Sequence, residues 1–264
     1  MKRWVVALAG LVLAGSASAQ EPRFCPNRPS LGSSACTTEP GHVQGEVSLL
    51  DWQRDDSPDG REDQIVSADL LARIGVGART EVQLGWTGFG RVRTRDAMSG
   101  AVDTVSGVGD VRLAVRQNLR NLDGKGLSFG VEPFVTLPVG RTPIGDQSWS
   151  AGAVLPVSYD LSDAVALNFT GQIAAQSDME RRGRHLDYLG IVGLGIEVTE
   201  GVTLTSEIQL ERDEDPAGAE SRAFAAQSIA WHPTKRTQLD LLAVAGLNRT
   251  SPDLRIAAGG AFVF

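Results

Sequence analysis

Leu254-Arg255-Ile256-Ala257-Ala258-Gly259-Gly260-Ala261-Phe262-Val263-Phe264 closes the chain, and it alternates. In an extended strand successive side chains point to opposite faces, so Leu254, Ile256, Ala258, Gly260, Phe262 and Phe264 fall together on one face. A period-2 apolar face that runs to a terminal aromatic ring suits a strand that meets lipid and closes a barrel, because closure leaves no unpaired backbone edge in hydrocarbon. The expected fold class is therefore all-β: a transmembrane antiparallel up-and-down β-barrel.

The other end of the sequence points to export. Lys2 and Arg3 form a positive n-region, Trp4 to Ala14 an apolar run, and Ala17-Ser18-Ala19 a small-residue cleavage site before Gln20. The run is shorter than the ~20 apolar residues of a spanning helix. The expected organisation is a signal peptide over 1–19, a short periplasmic N-terminal segment over 20–41 and a barrel over 42–264. Loss of Lys2 and Arg3 would take the formal charge of −7 to −9, which disfavours nucleic acid as a partner. Cys25 and Cys36 lie in a Pro/Ser/Gly-rich stretch; in an exported chain an even pair is expected to form a disulfide.

From Val43 onward alternating segments are separated by turn signals, giving about 12 strands, an even number as single-chain bacterial barrels have. Val202, Leu204, Ile208 and Leu210 alternate with Thr203, Thr205, Glu207, Gln209 and Glu211. Val165, Leu167, Phe169 and Ile173 alternate in the same way with Asn168, Thr170, Gln172 and Gln176. A soluble sandwich would give the same period; the export signal, the terminal Phe and the unbroken meander favour the barrel. Thr94 to Ser106 reads as a polar loop. Trp86, Trp149 and Trp231 read as interface anchors, and Pro133, Pro138 and Pro156 as marks of bulges or irregular ladder.

Gly259, Phe262 and Phe264 resemble the terminal assembly signal of bacterial outer-membrane barrels, with Ala257 where a polar residue is usual. Gly107-Val108-Gly109-Asp110-Val111-Arg112-Leu113 and Val131-Glu132-Pro133-Phe134-Val135-Thr136-Leu137-Pro138-Val139-Gly140 resemble the central motifs of the outer-membrane transporter family associated with the meta-pathway of phenol degradation. Asp51-Trp52 and Glu81-Val82-Gln83-Leu84-Gly85 fit the same pattern. The resemblance implies a porin-like barrel of the Gram-negative outer membrane for passive uptake of small, often aromatic, molecules. Its implied partners are outer-membrane lipid, the outer-membrane assembly machinery and a solute that the sequence does not name.

Alternation also places charges on the expected inner face. Arg91, Arg93, Arg112, Arg116 and Arg120 would form a basic lumen wall, and Asp187, Glu197, Glu207, Glu211 and Asp240 an acidic wall across from it. Opposed walls in a narrow lumen would orient dipolar solutes; the same charges could instead pair within a closed lumen and serve the barrel alone. The segment Gln20 to Gly41 is too short for the gated plug of an energised transporter. An enzyme is the third class. It needs a nucleophile beside a base, and the histidines are only His42, His185 and His232, without a serine at strand-neighbour spacing. No metal-ligand spacing and no nucleotide fingerprint occur, so no enzyme activity, metal or cofactor is expected.

Overall fold

The computed structural model describes residues 21–264; the expected signal peptide lies outside the described residues. The strands are β1 (Val43–Ser57), β2 (Gly60–Gly77), β3 (Thr80–Asp96), β4 (Val102–Gly107), β5 (Val111–Arg120), β6 (Leu127–Leu137), β7 (Ser150–Ser162), β8 (Val165–Ser177), β9 (Arg184–Thr199), β10 (Val202–Asp213), β11 (Glu220–Thr234), β12 (Thr237–Gly246) and β13 (Leu254–Val263). Each pairs antiparallel with its chain neighbour, and β1 pairs with β13, which closes the sheet. β4 and β5 both pair with β3, one above the other, so the wall has twelve strands and the stretch read as the loop Thr94 to Ser106 is largely a raised hairpin.

The faces follow the alternation. Leu204, Ile208 and Leu210 of β10, Leu167, Phe169 and Ile173 of β8, and Leu239 and Leu241 of β12 point outward, while Thr205, Glu207, Thr170, Gln238 and Asp240 point in. The exterior is thus an apolar band and the interior polar, the arrangement a bilayer demands. The connections divide by end. On the side of Val43 and Val263, residues 78–79, 163–164, 200–201 and 235–236 make tight turns, with 121–126 somewhat longer; the opposite end carries the longer loops 138–149, 178–183, 214–219 and 247–253.

One irregularity crosses several strands at a single height. The register shifts after Ser48 in β1, Ala68 of β2 takes a left-handed φ of 52°, Gly88 of β3 packs against Ala68, and residues 108–110 separate β4 from β5. Below this line Glu81 and Gln83 face inward; above it Gly90 and Val92 do. One residue of slip exchanges the faces of everything beyond it.

The terminal strand behaves as its pattern requires. Phe262 and Phe264 lie outside in edge contact, with ring centroids 4.9 Å apart. Gly259 faces inward, where a Cβ would collide with the Val47 carbonyl and come within 2.6 Å of the Arg28 guanidinium. At least one position of the expected assembly signal therefore has a packing role of its own.

Candidate functional site

The lumen is the concave, polar feature of this barrel. For twelve strands about 4.8 Å apart and tilted about 40°, the backbone cylinder has a radius of about 12 Å. Side chains from both walls leave a passage that one strand of irregular chain can largely occupy. Residues 25–38 do occupy it: most of the segment expected to lie in the periplasm is inside the barrel, with Glu21, Pro40 and Gly41 exposed at the turn end. Cys25 and Cys36 are joined in a disulfide that ties this segment into a loop.

Two arginines hold the segment from the β1–β6 side. Arg73 of β2 bridges Glu81 (Nε–Oε1 2.9 Å) and Glu46 (Nη1–Oε1 3.2 Å), and its remaining donors reach the carbonyls of Cys25 (2.6 Å) and Cys36 (2.9 Å). Arg116 of β5 pairs with Glu132 (2.5 Å) and Glu81 (3.6 Å), and also donates to Asn27 Oδ1 and Ser33 Oγ. Both guanidinium groups are fully buried. A buried charge is tolerable only with its partners and its spare donors satisfied, and here backbone carbonyls and the Asn27 and Ser33 side chains of the inserted segment supply the acceptors. Arg112 completes the set through Glu132 at 2.9 Å.

Carboxylates around the ring then receive the amides of the segment. Glu46 accepts from the backbone N–H of Asn27 (3.1 Å) and Arg28 (3.0 Å), and Glu81 from that of Thr38 (2.7 Å). Across the lumen Glu207 accepts from Ser30 Oγ (2.5 Å) and from the N–H of Leu31 (2.9 Å) and Gly32 (3.3 Å). The Arg28 guanidinium grips Asp240 at 2.7 and 3.3 Å. The segment is thereby tied to opposite sides of one ring.

The expected walls need correction in this light. Arg91 and Arg93 point outward, because the irregularity through Ala68 and Gly88 reverses the alternation just before them; Arg91 is paired with outward Ile65, and Arg93 approaches outward Asp63. Arg120 lies past a register shift in β5, is exposed, and sits beside outward Phe129. Arg112 and Arg116 do face the lumen, but they pair with neighbouring strands and present no free basic wall. Of the acidic set, Glu207 and Asp240 bind the inserted segment, Asp187 and Glu211 line a cavity near the loop end, and Glu197 is exposed at a turn and accepts from the Gly201 N–H. Arg73, Glu46, Glu81 and Glu132 escaped prediction as site residues. Two of them, Glu81 and Glu132, lie in the motifs that carried the family resemblance.

At the loop end, residues 138–149 fold inward. Asp110 accepts from the N–H of Gly140 and of Asp146, both at 2.8 Å, and Ile144 fills the space that a side chain at Gly90 would take. Burial, reinforced by the neighbouring Asp110 carboxylate, pushes the Asp146 carboxyl above the usual carboxylate range. Between these features lie cavities. One of about 610 Å³ is bounded by the inward loop, β8–β10 and the loops after β8 and β10; a second of about 600 Å³ is lined by Leu31, Phe224, Val244, Arg222 and Arg255; a third of about 270 Å³ runs beside Arg28–Ser30 and Glu207. The first two meet at Glu211 and Arg222, and the second approaches the third only past Arg28, Ser30 and Leu31.

A closed twelve-stranded barrel with an apolar exterior and a polar lumen defines the class: an outer-membrane-type β-barrel of channel architecture. Residues 26–264 match the model of the family described as putative MetA-pathway of phenol degradation, and the chain belongs to that family. Similar folds are found in an outer-membrane channel of Pseudomonas putida F1 (TM-score 0.67, 17% identity, covering 85% of this chain and 96% of that one). A KdgM porin in complex with oligogalacturonate (TM-score 0.51, 8% identity, 84% and 99%) and the translocator domain of the autotransporter NalP from Neisseria meningitidis (TM-score 0.51, 11% identity, 85% and 88%) share the barrel as well. Among curated proteins, none matches this sequence.

Proposed function

We propose that this barrel is a passive channel of the Gram-negative outer membrane for small solutes, aromatic acids and phenols among them. Its loop end faces the exterior and its turn end the periplasm. The observation that carries the reading is the succession of polar cavities along the β8–β12 side, interrupted at one place by the Arg28–Leu31 stretch of the N-terminal segment. The second cavity joins an apolar floor of Leu31, Phe224 and Val244 to a polar rim in which Arg222 is paired with Glu211 and Glu220 and Arg255 with Asp51. That combination suits a flat apolar ring bearing a polar substituent, and the family description agrees with it. Movement of Arg28–Leu31 away from Glu207 and Asp240 would join the cavities; no energised plug domain is needed.

A closed structural barrel is the second reading, and the dense anchoring of residues 21–42 favours it. His185 contacts carboxylates, and among the described residues no serine, threonine or cysteine is hydrogen-bonded to it, so its surroundings lend no support to a serine-type hydrolase. The deciding experiment reconstitutes the purified full chain in planar bilayers and in liposomes for swelling with sodium benzoate and with a neutral disaccharide. A channel gives discrete current steps and faster swelling with benzoate than protein-free vesicles. Absence of both would leave the closed barrel as the function of the fold.

A further inference from the structure

At the loop end, two connections that are distant in sequence bring Asp178, His185 and Asp215 together, with one potential ligand atom from each lying within 4.8 Å of the others. His185 opens β9, Asp178 lies in the loop before it, and Asp215 lies in the loop after β10. His185 Nδ1 stands 3.2 Å from Asp178 Oδ1 and 3.4 Å from Asp215 Oδ2. Ligands about 2.0–2.1 Å from a tetrahedral zinc ion are about 3.3–3.4 Å from one another; the two separations from His185 Nδ1 fall close to that spacing, and the Asp178 and Asp215 oxygens lie within 4.8 Å of each other.

A second observation concerns the imidazole itself. Its side chain is 5% exposed, and Nε2 is buried without a partner in hydrogen-bonding geometry, although Asp213 Oδ1 lies 2.9 Å away. Two carboxylates crowd Nδ1, which carries at most one proton, while none stands in hydrogen-bonding geometry at Nε2. Metal-ligating histidines commonly direct their second ring nitrogen at a carboxylate, which fixes tautomer and orientation; Asp213 stands where that carboxylate belongs. Asp215 is held for the purpose, since it accepts from the N–H of Met179 (2.8 Å) and Ala217 (2.7 Å). The nearby cation Arg222 is shared among Glu211, Glu220 and, at 3.9 Å, Asp213, which leaves the cluster rich in negative charge.

We propose that Asp178, His185 and Asp215 bind one first-row divalent cation of the zinc type, with water completing the shell and Asp213 orienting the imidazole. The ion would tie the loop after β8 to the loop after β10 at the rim of the 610 Å³ cavity. Binding does not depend on the barrel being open. In a channel the ion would narrow the mouth and make it less negative.

The test uses the full chain, folded in detergent, stripped with chelator and titrated calorimetrically with Zn²⁺. One equivalent is expected to bind. His185→Gln should weaken binding by at least a hundredfold, and Asp213→Asn by about 10–100-fold as an orienting residue. His232→Gln, at the opposite end of the barrel, should leave affinity unchanged. X-ray absorption of the zinc-loaded wild type gives a readout that does not depend on the folding of any variant, and one imidazole nitrogen with two or more carboxylate or water oxygens is expected. No stoichiometric binding, equal affinity in His185→Gln, or a shell lacking imidazole would overturn the site and leave His185 as a hydrogen-bonding neighbour of its carboxylates.

Discussion

Replacing Glu207 and Asp240 together by alanine should free the Arg28–Gly32 part of the inserted segment while leaving its other anchors in place. Glu207 receives three hydrogen bonds from the segment and Asp240 two from Arg28. A hydrogen bond to a charged group contributes roughly 1.5–3 kcal/mol net. Two of the five are long at 3.3 Å, and the pair to Asp240 shares one guanidinium, so full additivity would overstate the sum; about 4 kcal/mol is the working figure from the three short bonds at the low end. At 1.4 kcal/mol per decade this is roughly a thousandfold shift toward release. Hydrogen exchange reads it directly. The amides of Leu31 and Gly32, which donate to Glu207, should exchange about a thousandfold faster, whereas those of Asn27 and Arg28, which donate to Glu46, serve as internal controls and change less. Current through planar bilayers should rise in the same variant. Unchanged exchange at Leu31 and Gly32 would refute the reasoning, because the disulfide loop would then be held by shape and not by these carboxylates.

Three further outcomes follow from other contacts. Arg116→Met removes one of the two guanidinium partners of each of buried Glu132 and Glu81, with Arg112 and Arg73 remaining, and should destabilise the barrel by about 3 kcal/mol, the low end for breaking a buried pair from one side; a lower temperature for loss of the compact gel band would report it, and an unaltered one would show that water replaces the guanidinium. Cys25→Ser with Cys36→Ser should loosen the inserted loop by about 2–3 kcal/mol through restored chain entropy, seen as faster exchange over residues 27–35 with the strands unaffected. The inward loop should respond to pH through Asp146. Its carboxyl is raised in the folded state, so the stabilisation belongs to the neutral form; it is present at low pH and lost as pH climbs through the raised value. Exchange at Ile144 and Gly145, whose amides bond to the Arg141 carbonyl, should therefore accelerate beyond intrinsic base catalysis as pH rises above the ordinary carboxylate range, and Asp146→Asn should flatten that response.

How far the sequence reveals this molecule depends on the range of the interactions that decide each feature. Strand positions and faces in β8, β10 and the first half of β12 are local: outward residues such as Leu204, Ile208 and Leu210 are apolar and the inward residues between them mostly polar, with Ser206 breaking the outward run and Leu242 and Val244 facing the lumen. Faces in β3 are local only as far as Thr87. Beyond it the alternation is reset by a slip shared with β1 and β2, and nothing in Arg91-Val92-Arg93 marks the reset; Ala68, a residue with no turn preference, takes the left-handed conformation because its neighbours across the ladder slip with it. An arginine in a strand is equally at home in a lumen and above the lipid, so residue type could not correct the error. The inserted segment is harder still to foresee. Its Pro/Ser/Gly composition marks a stretch without a core of its own, which is true of a periplasmic tail and equally of a chain that borrows its partners from a barrel wall. What distinguishes the two is the surplus of buried donors and acceptors on Arg73, Arg116, Glu207 and Asp240, and these come together only when strands far apart in sequence close into a ring. The same argument applies to Asp178, His185 and Asp215. No short ligand spacing exists for them to display, because the loop after β8 and the loop after β10 become neighbours only through the pairing of β9 with β10.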